Sequence, residues 1–248
     1  MAKMLKYRSR QFKKTEAKEN RGSYGAWRKE FCRKYLEMLI RLRKNTYNSF
    51  VETLTSKGEM ITCRKGCVYC CFEHVTVSAA HSIVIVDYLY NRKELQKQFV
   101  HNYEKWRHKG RNISDNIDRI RIQASLSLMP IESAMAAIGP LSARYVDMNI
   151  PCPFLVNNKC FIYDTRPLPC SGHYSVSPPA WCAPDTSQKP IVHQLIPNKE
   201  DLSKIVLLAD PRYMLYELTL PTMIYKLLTE GSLSILKSQI FSPVMVWE

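Results

Sequence analysis

The chain is poor in glycine and lacks the short motifs of several large enzyme classes. It has only eight glycines in 248 residues. Their positions form no GxGxxG dinucleotide fingerprint, no GxxxxGK phosphate loop and no GxSxG nucleophile elbow. An HExxH metal-binding helix is missing as well. Nucleotide-binding and serine-hydrolase functions that depend on these motifs are therefore excluded.

The sequence also has no apolar run of the roughly 20 residues that a membrane-spanning helix needs. Its stretch from Ile83 to Tyr90 is apolar but is interrupted by Asp87. The first twenty residues are basic and contain no apolar segment of the kind found in secretory signals. We therefore expect a cytoplasmic protein that does not span a membrane.

Apolar residues recur with helical spacing over much of the chain. Trp27, Phe31 and Tyr35 lie four residues apart, which predicts an amphipathic helix that continues to about Leu54 and ends at residues 56–58. A short strand is predicted over 74–77. Further helices are predicted at 79–90 with Ser78 as N-cap, at 91–121 as one helix or a broken pair, at 130–143, and near the C-terminus with a kink or stop at Pro221.

Proline dominates the segment from residue 151 to 184. Its seven prolines exclude a continuous helix or a central strand; they are Pro151, Pro153, Pro167, Pro169, Pro178, Pro179 and Pro184. The loops must be ordered by something other than a backbone ladder. We expect a mainly α protein, with a helical scaffold, irregular cysteine-rich metal-binding loops and few short strands.

Positive charge is concentrated at one end of the chain. Residues 1–44 carry fifteen Lys or Arg and four Glu, which gives +11 of the total net charge of +14. Aromatic residues are interleaved with these cations, so the region is able to contact phosphates and stack on bases. We expect residues 1–22 to be a mobile basic tail, which is either a plain solvated arm or a contact for nucleic acid or for a protein with an acidic surface.

Eight of the nine cysteines form two groups of four. One group spans nine residues, and the other is spread over the proline-rich loops; the members are Cys63, Cys67, Cys70 and Cys71, and Cys152, Cys160, Cys170 and Cys182. Isolated core cysteines do not gather in this way, and disulfides are not the default in a reducing compartment. We predict that all eight are metal ligands, whereas Cys32 stands alone on the first helix and is a core or surface residue.

The first group has the spacing of a metal-binding turn. Thiolates two to four residues apart can face one cation, and Gly66 allows the chain to fold back between Cys63 and Cys67. Adjacent Cys70 and Cys71 are too close for an unstrained disulfide. In an extended stretch their side chains would point to opposite sides, one towards the metal and the other towards a second site or the core.

Two sequence segments resemble one known family. CRKGCVYCC and PCPFLVNNKCFIYDTRPLPC are similar to the signature of the CxxCxxCC, or YkgJ-like, cysteine-cluster proteins. The resemblance covers residues 60–185 and implies chelation of zinc or iron. Members of that family often have arginine after the last cysteine of the signature, where this chain has Ser171. The family includes some flagellin lysine methylases, so the resemblance also raises an enzyme that acts on a protein substrate.

The metal remains open at the level of sequence. All-cysteine ligation suits an iron–sulfur cluster or zinc. Eight thiolates exceed a single zinc site, and Pro153 follows Cys152 as it does some cluster ligands, so we favour iron–sulfur, with two zinc sites as the alternative. The triplet of Cys63, Cys67 and Cys70 also resembles the radical S-adenosylmethionine signature, although the strand and helix alternation of those barrels is missing.

The residues next to the cysteines have a supporting role in this interpretation. His74 and His173 each lie three residues after a cysteine. Either is able to replace a thiolate as a ligand, and we favour the interpretation of both as hydrogen-bonded loop histidines. Arg166 and Tyr163 are candidates to orient thiolates from the outer shell, and Arg166 is equally able to bind a carboxylate. We expect residues 23–248 to form one domain, with core motifs at 60–185 and a helical C-terminal part at 186–248.

Overall fold

The structure is a computed structural model that describes residues 21–64, 66–183, 186–195 and 217–230. The side chains of residues 21–27 are outside this description. Most of the expected basic tail and most of the C-terminal part also lie outside it.

Four helices of 12 to 36 residues dominate the described part of the chain, which confirms a mainly α fold. None of them is long and apolar enough to cross a membrane. Two shorter helices and two 3-10 turns lie in the second half, and one further 3-10 turn lies in the first half. The helices are α1 (Arg21–Ser56), α2 (Ala79–Tyr90), α3 (Lys93–Ser125), α4 (Ile131–Asp147), α5 (Leu168–Ser171) and α6 (Leu220–Thr229), and the turns are Tyr69–Phe72, Tyr163–Thr165 and Pro179–Cys182.

The strands are short and pair only as antiparallel two-stranded sheets in the described residues. β1 pairs with β6, β2 with β3 and β4 with β5. No parallel barrel of the radical-enzyme kind is present among these elements. Their bounds are β1 (Thr76–Ser78), β2 (Leu155–Val156), β3 (Lys159–Cys160), β4 (His173–Ser175), β5 (Val192–Gln194) and β6 (Glu217–Thr219).

Helix ends follow the local chemistry of the sequence. Ser78 caps α2, because its hydroxyl oxygen accepts a hydrogen bond from the His81 backbone N–H at 3.3 Å. Gly58, just after α1, has φ of +72°, a conformation that glycine adopts without steric cost. Helix α3 is one continuous helix. The predicted kink at Pro221 is wrong: this proline is in the first turn of α6, where its missing N–H has no helical acceptor to lose.

The main core lies between α2, α3, α4 and α6. Phe99 of α3 stacks on Phe154 with ring centroids 4.6 Å apart, and Tyr103 stacks on Tyr225 of α6 at 4.1 Å. Helix α1 packs on α2 through a separate small cluster. After helices α3 and α4, the chain re-enters this core at Phe154. The second cysteine group then lies next to the start of α2.

Candidate metal centre

A tight turn and a 3-10 helix shape the first cysteine group. The Cys67 N–H donates to the Arg64 carbonyl at 3.0 Å, and Gly66 has φ of +94°. The predicted turn at Gly66 is thus confirmed. Thr62 fixes the start of the segment, since its backbone N–H donates to the Ser175 carbonyl at 2.9 Å. This bond attaches the first group to strand β4.

A hairpin and two short helices carry the second cysteine group. Asn157 and Asn158, both with positive φ, make the two-residue turn between β2 and β3, the preferred geometry for such a hairpin. The turn places Cys160 opposite Leu155. Cys170 lies on α5, and Cys182 ends a 3-10 turn.

A backbone hydrogen bond joins the two groups. The Cys152 N–H donates to the Cys71 carbonyl at 2.7 Å. Six cysteines from both groups consequently line one cavity of about 360 Å³; they are Cys67, Cys70, Cys71, Cys152, Cys160 and Cys170. The chain thus folds two segments that are distant in sequence around a shared space.

Cys63 and Cys182 lie beside this cavity. The Ser175 N–H donates to the Cys63 sulfur at 3.1 Å. Burial raises the pKa of Cys63, and the neighbouring Cys67, Cys182 and Cys70 add to that rise. Burial also raises the pKa of Cys182, again with Cys67 and Cys70 as neighbours. Cys63 and Cys182 therefore share Cys67 and Cys70 as neighbours.

Cys71 has a different set of neighbouring thiols. A hydrogen bond to the Cys70 sulfur raises the pKa of Cys71, with burial and then Cys152 contributing further. The same bond lowers the pKa of Cys70 to about 7, despite burial. Burial raises the pKa of Cys152 to about 12 and that of Cys170 well above its usual value. A metal that binds these thiols must displace their protons.

The structure corrects the expectation for adjacent Cys70 and Cys71. The residues are in a 3-10 helix, not an extended stretch, and both side chains line the same cavity. They form no disulfide, and all nine cysteines are free. The extended backbone from which the opposite orientation was predicted is therefore wrong, because the local backbone turns.

The donor atoms of this site have the chemistry that a thiophilic metal requires. The eight clustered residues are all thiols, partly exposed and free of disulfide bonds, which suits zinc or iron–sulfur centres. Across the residues that the structure describes, no three His, Cys, Asp or Glu side chains are already arranged to hold a metal ion. Ligation therefore requires the thiols around the cavity to turn towards one another.

Two arginines lie next to the thiols. Arg166 lines the cavity, donates from Nε to the Tyr163 carbonyl at 3.1 Å and stacks over the Tyr163 ring at 3.7 Å. It forms no ion pair with Asp164, and the alternative Asp185 is outside the described residues. In the sequence, Arg43 of α1 contributes to the basic excess and carries no other signal of a role. Its guanidinium donates to the carbonyls of Arg166 and Asp164.

Histidines occupy structural positions around the site. His74 lies within hydrogen-bonding distance of the Thr219 hydroxyl at 3.0 Å and meets the Tyr145 ring edge-on, whereas its neighbours Glu73 and Val75 line the cavity. His173 is in β4, opposite Gln194. Cys32 is buried in the α1–α2 cluster, as expected for a core cysteine.

Comparison with known proteins decides the family. A family model for the CxxCxxCC domain matches residues 62–190, about half of the chain. The chain belongs to the CxxCxxCC family. That family is described as a proposed zinc- or iron-chelating domain. Neither the curated proteins nor the solved structures contain a match to this chain.

Elements on both sides of the CxxCxxCC domain complete its cavity. Helix α1 precedes the domain and reaches it through Arg43. After the domain, β6 and α6 contribute Thr219, Leu220 and Pro221 to the cavity wall. No signal in the sequence marked these residues, because their role depends on tertiary contacts and not on a motif.

Proposed function

We propose that this protein chelates metal through its eight clustered cysteines, and that the centre is an iron–sulfur cluster in preference to zinc. The supporting observation is the single cavity that six thiols from both sequence groups line. Their shared location gives a metal access to ligands from two segments that lie 80 residues apart. Membership of the CxxCxxCC family supports the same chemistry.

The neighbour relations favour two ligand sets that mix the sequence groups. Cys63 and Cys182 have Cys67 and Cys70 as neighbours. Cys71 has Cys152 and Cys160 as neighbours, and Cys152 in turn acts on Cys170. Cys70 also acts on Cys152, Cys160 and Cys170. We therefore assign Cys63, Cys67 and Cys182 to one set and Cys71, Cys152, Cys160 and Cys170 to the other, with Cys70 next to both.

Cavity size favours a polynuclear centre. A structural zinc site is closed by its four ligands and needs no open volume. The volume of about 360 Å³ falls in the range of small-molecule pockets. This volume accommodates a cluster that contains inorganic sulfide. Such a cluster, when bound, supplies a capacity for electron transfer.

Anaerobic purification followed by iron, zinc and sulfide analysis tests the proposal. We expect iron and acid-labile sulfide in similar amounts, with an optical spectrum of sulfur-to-iron charge transfer. Stoichiometric zinc without sulfide would retain chelation and replace the cluster by two zinc sites. Protein that contains neither metal would overturn the proposed function.

A further inference from the structure

The thiol cavity has a positively charged wall formed by Arg166. Arg166 lines this cavity together with three thiols from both sequence groups, namely Cys70, Cys160 and Cys170. Lys159 also lines the cavity, but it is exposed on the β2–β3 hairpin. Arg166 is partly buried. A charge beside several thiols at once is suited to balance the negative charge that they acquire on ligation.

Most of the hydrogen-bonding capacity of Arg166 is uncommitted. A guanidinium has five N–H donors, and the one on Nε binds the Tyr163 carbonyl. The other four form no hydrogen bond with any described residue. The Tyr163 ring covers one face of the guanidinium at 3.7 Å. The side chain is thus held in place while its terminal N–H groups stay available to sulfur.

Arg43 fixes the backbone that carries this arginine. One terminal nitrogen donates to the Arg166 carbonyl, and the other donates to the Asp164 carbonyl at 3.5 Å. Because Arg43 comes from α1, it connects a helix outside the CxxCxxCC domain to the loop before Cys170. The fork of the guanidinium reaches two carbonyls at once, a geometry that lysine cannot reproduce.

The two arginines repel each other. Burial first, and then the adjacent Arg166, lower the pKa of Arg43 to about 10, and Asp164 offsets this only in part. Neither arginine forms an ion pair with a carboxylate in the portion of the chain that is described. Four thiolates around one divalent metal carry a net charge of about −2, since each thiolate contributes one negative charge. Such a centre would balance the remaining positive charge.

We infer that Arg166 stabilises the metal-bound thiolates by its charge and that Arg43 acts through it as a positioning residue. The inference rests on the proposed function, because it requires a metal at the thiols. Groups that support metal ligands from the outer shell typically contribute about 10- to 100-fold to metal affinity. Loss of either arginine should therefore loosen the metal without removing a ligand.

The test measures how fast the full-length, anaerobically purified protein releases its metal to an excess of chelator. We expect Arg166→Gln and Arg43→Gln each to release metal about tenfold faster than the wild type. Arg166→Lys keeps the charge and should stay within about threefold of the wild type. Arg41→Gln is the matched control, because it removes the same charge from an exposed position of α1 and should have no effect.

The double variant distinguishes positioning from independent action. If Arg43 acts through Arg166, Arg43→Gln with Arg166→Gln releases metal about as fast as either single variant, whereas independent effects would multiply to about 100-fold. Multiplied effects would overturn the positioning role, and wild-type release from Arg166→Gln would overturn the charge role. If circular dichroism shows that Arg43→Gln does not fold, the comparison of Arg166→Gln with Arg166→Lys still tests the charge role. A wild type without metal would instead refute the proposed function.

Discussion

Cysteine has two different roles in this chain, and substitution separates them. Cys170 lines the thiol cavity, whereas Cys32 is buried between α1 and α2. Cys170→Ser removes a proposed ligand, so we expect lower metal content and a loss of order in the proline-rich loops, whose backbone has little ladder to hold it. Metal analysis and limited proteolysis of residues 151–183 measure the two effects.

Cys32→Ser is the control for this experiment. It places a hydroxyl in an apolar cluster and should lower stability by about 1 to 2 kcal/mol, with wild-type metal content. Equal protease resistance of the two variants would show that packing alone orders the loops. The Cys160→Ser variant should behave like Cys170→Ser.

His81 makes stability depend on pH. It is buried, and its Nε2 donates to the Thr165 carbonyl at 3.0 Å. Burial lowers the pKa of His81 from 6.5 to about 4. The unfolded chain therefore takes up a proton first as pH falls below 6.5, and stability decreases between pH 6.5 and 4. The contribution of His81 to the loss between pH 7.5 and 5 is about 2 kcal/mol.

Denaturant unfolding at pH 7.5 and 5 checks this expectation. His81→Gln lacks the titrating group, so its free energy of unfolding should fall by about 2 kcal/mol less than that of the wild type over this interval. His101→Gln, at an exposed position of α3, should retain the wild-type pH dependence. Identical pH dependence in His81→Gln and the wild type would contradict the assignment.

Local spacing predicted a turn but not the backbone that follows it. The spacing of Cys63 and Cys67 required a turn, and Gly66 provides it. The extended backbone expected at Cys70 and Cys71 was wrong, because nothing in the local sequence indicated a 3-10 helix. Arg43 could not be recognised at all, since its partners are the carbonyls of residues more than 120 positions away.

At the level of elements, a buried carboxylate attaches strand β6 to helix α3. Asp118 accepts hydrogen bonds from the Thr219 N–H at 2.5 Å and from its hydroxyl at 2.7 Å. Burial raises the pKa of Asp118 from 3.8 to about 6. The folded protein thus keeps a proton that the unfolded chain releases, so the contribution of Asp118 to stability decreases as pH rises from 4 to 6, opposite to that of His81.

Two substitutions separate the bonds of Asp118 from its charge. Asp118→Asn keeps an acceptor and cannot ionise, so its stability relative to the wild type should rise by about 1.5 kcal/mol between pH 5 and 7.5. Asp118→Ala leaves the Thr219 N–H unpaired and should cost about 1 to 3 kcal/mol. Hydrogen exchange at residues 217–219 should accelerate in the alanine variant only. Unchanged exchange there would show that β1 alone holds β6.

Helices were easier to predict than the elements that surround the cavity. Ser78 marked the start of α2, and the aromatic spacing from Phe99 to Trp106 marked α3. Strand β6 has three residues, too few for a periodic pattern, and it forms only because β1 and Asp118 provide partners. The kink predicted at Pro221 was wrong for the same reason, because a proline either stops or starts a helix and tertiary context decides between the two.

For the whole molecule, the charge distribution separates metal binding from a proposed nucleic-acid contact. Along α1, Arg28 pairs with Asp87, and Arg33 pairs with Glu30 and Glu37. These cations are partly neutralised, so we propose that residues 1–22 carry the contact. Deletion of residues 1–22 should remove most binding to single-stranded nucleic acid and leave the metal content unchanged.

The salt dependence provides the second measurement. Binding by the tail should weaken steeply between about 50 and 200 mM salt, because each neutralised phosphate releases counterions. Filter binding or fluorescence anisotropy records both effects. Binding that survives the deletion would place the contact on the folded body, and no binding by the full chain would leave an acidic protein surface as the partner to test.

The hydrogen bond between the Cys152 N–H and the Cys71 carbonyl has a consequence for biosynthesis. The ribosome completes Cys63–Cys71 well before it adds Cys170, and at about 5 to 20 residues per second the delay is roughly 5 to 20 seconds. During that interval the nascent chain has four thiols without the segment that later surrounds them. Metal delivered in this period would meet half of the proposed site, so we expect correct loading to follow completion of the second cysteine group.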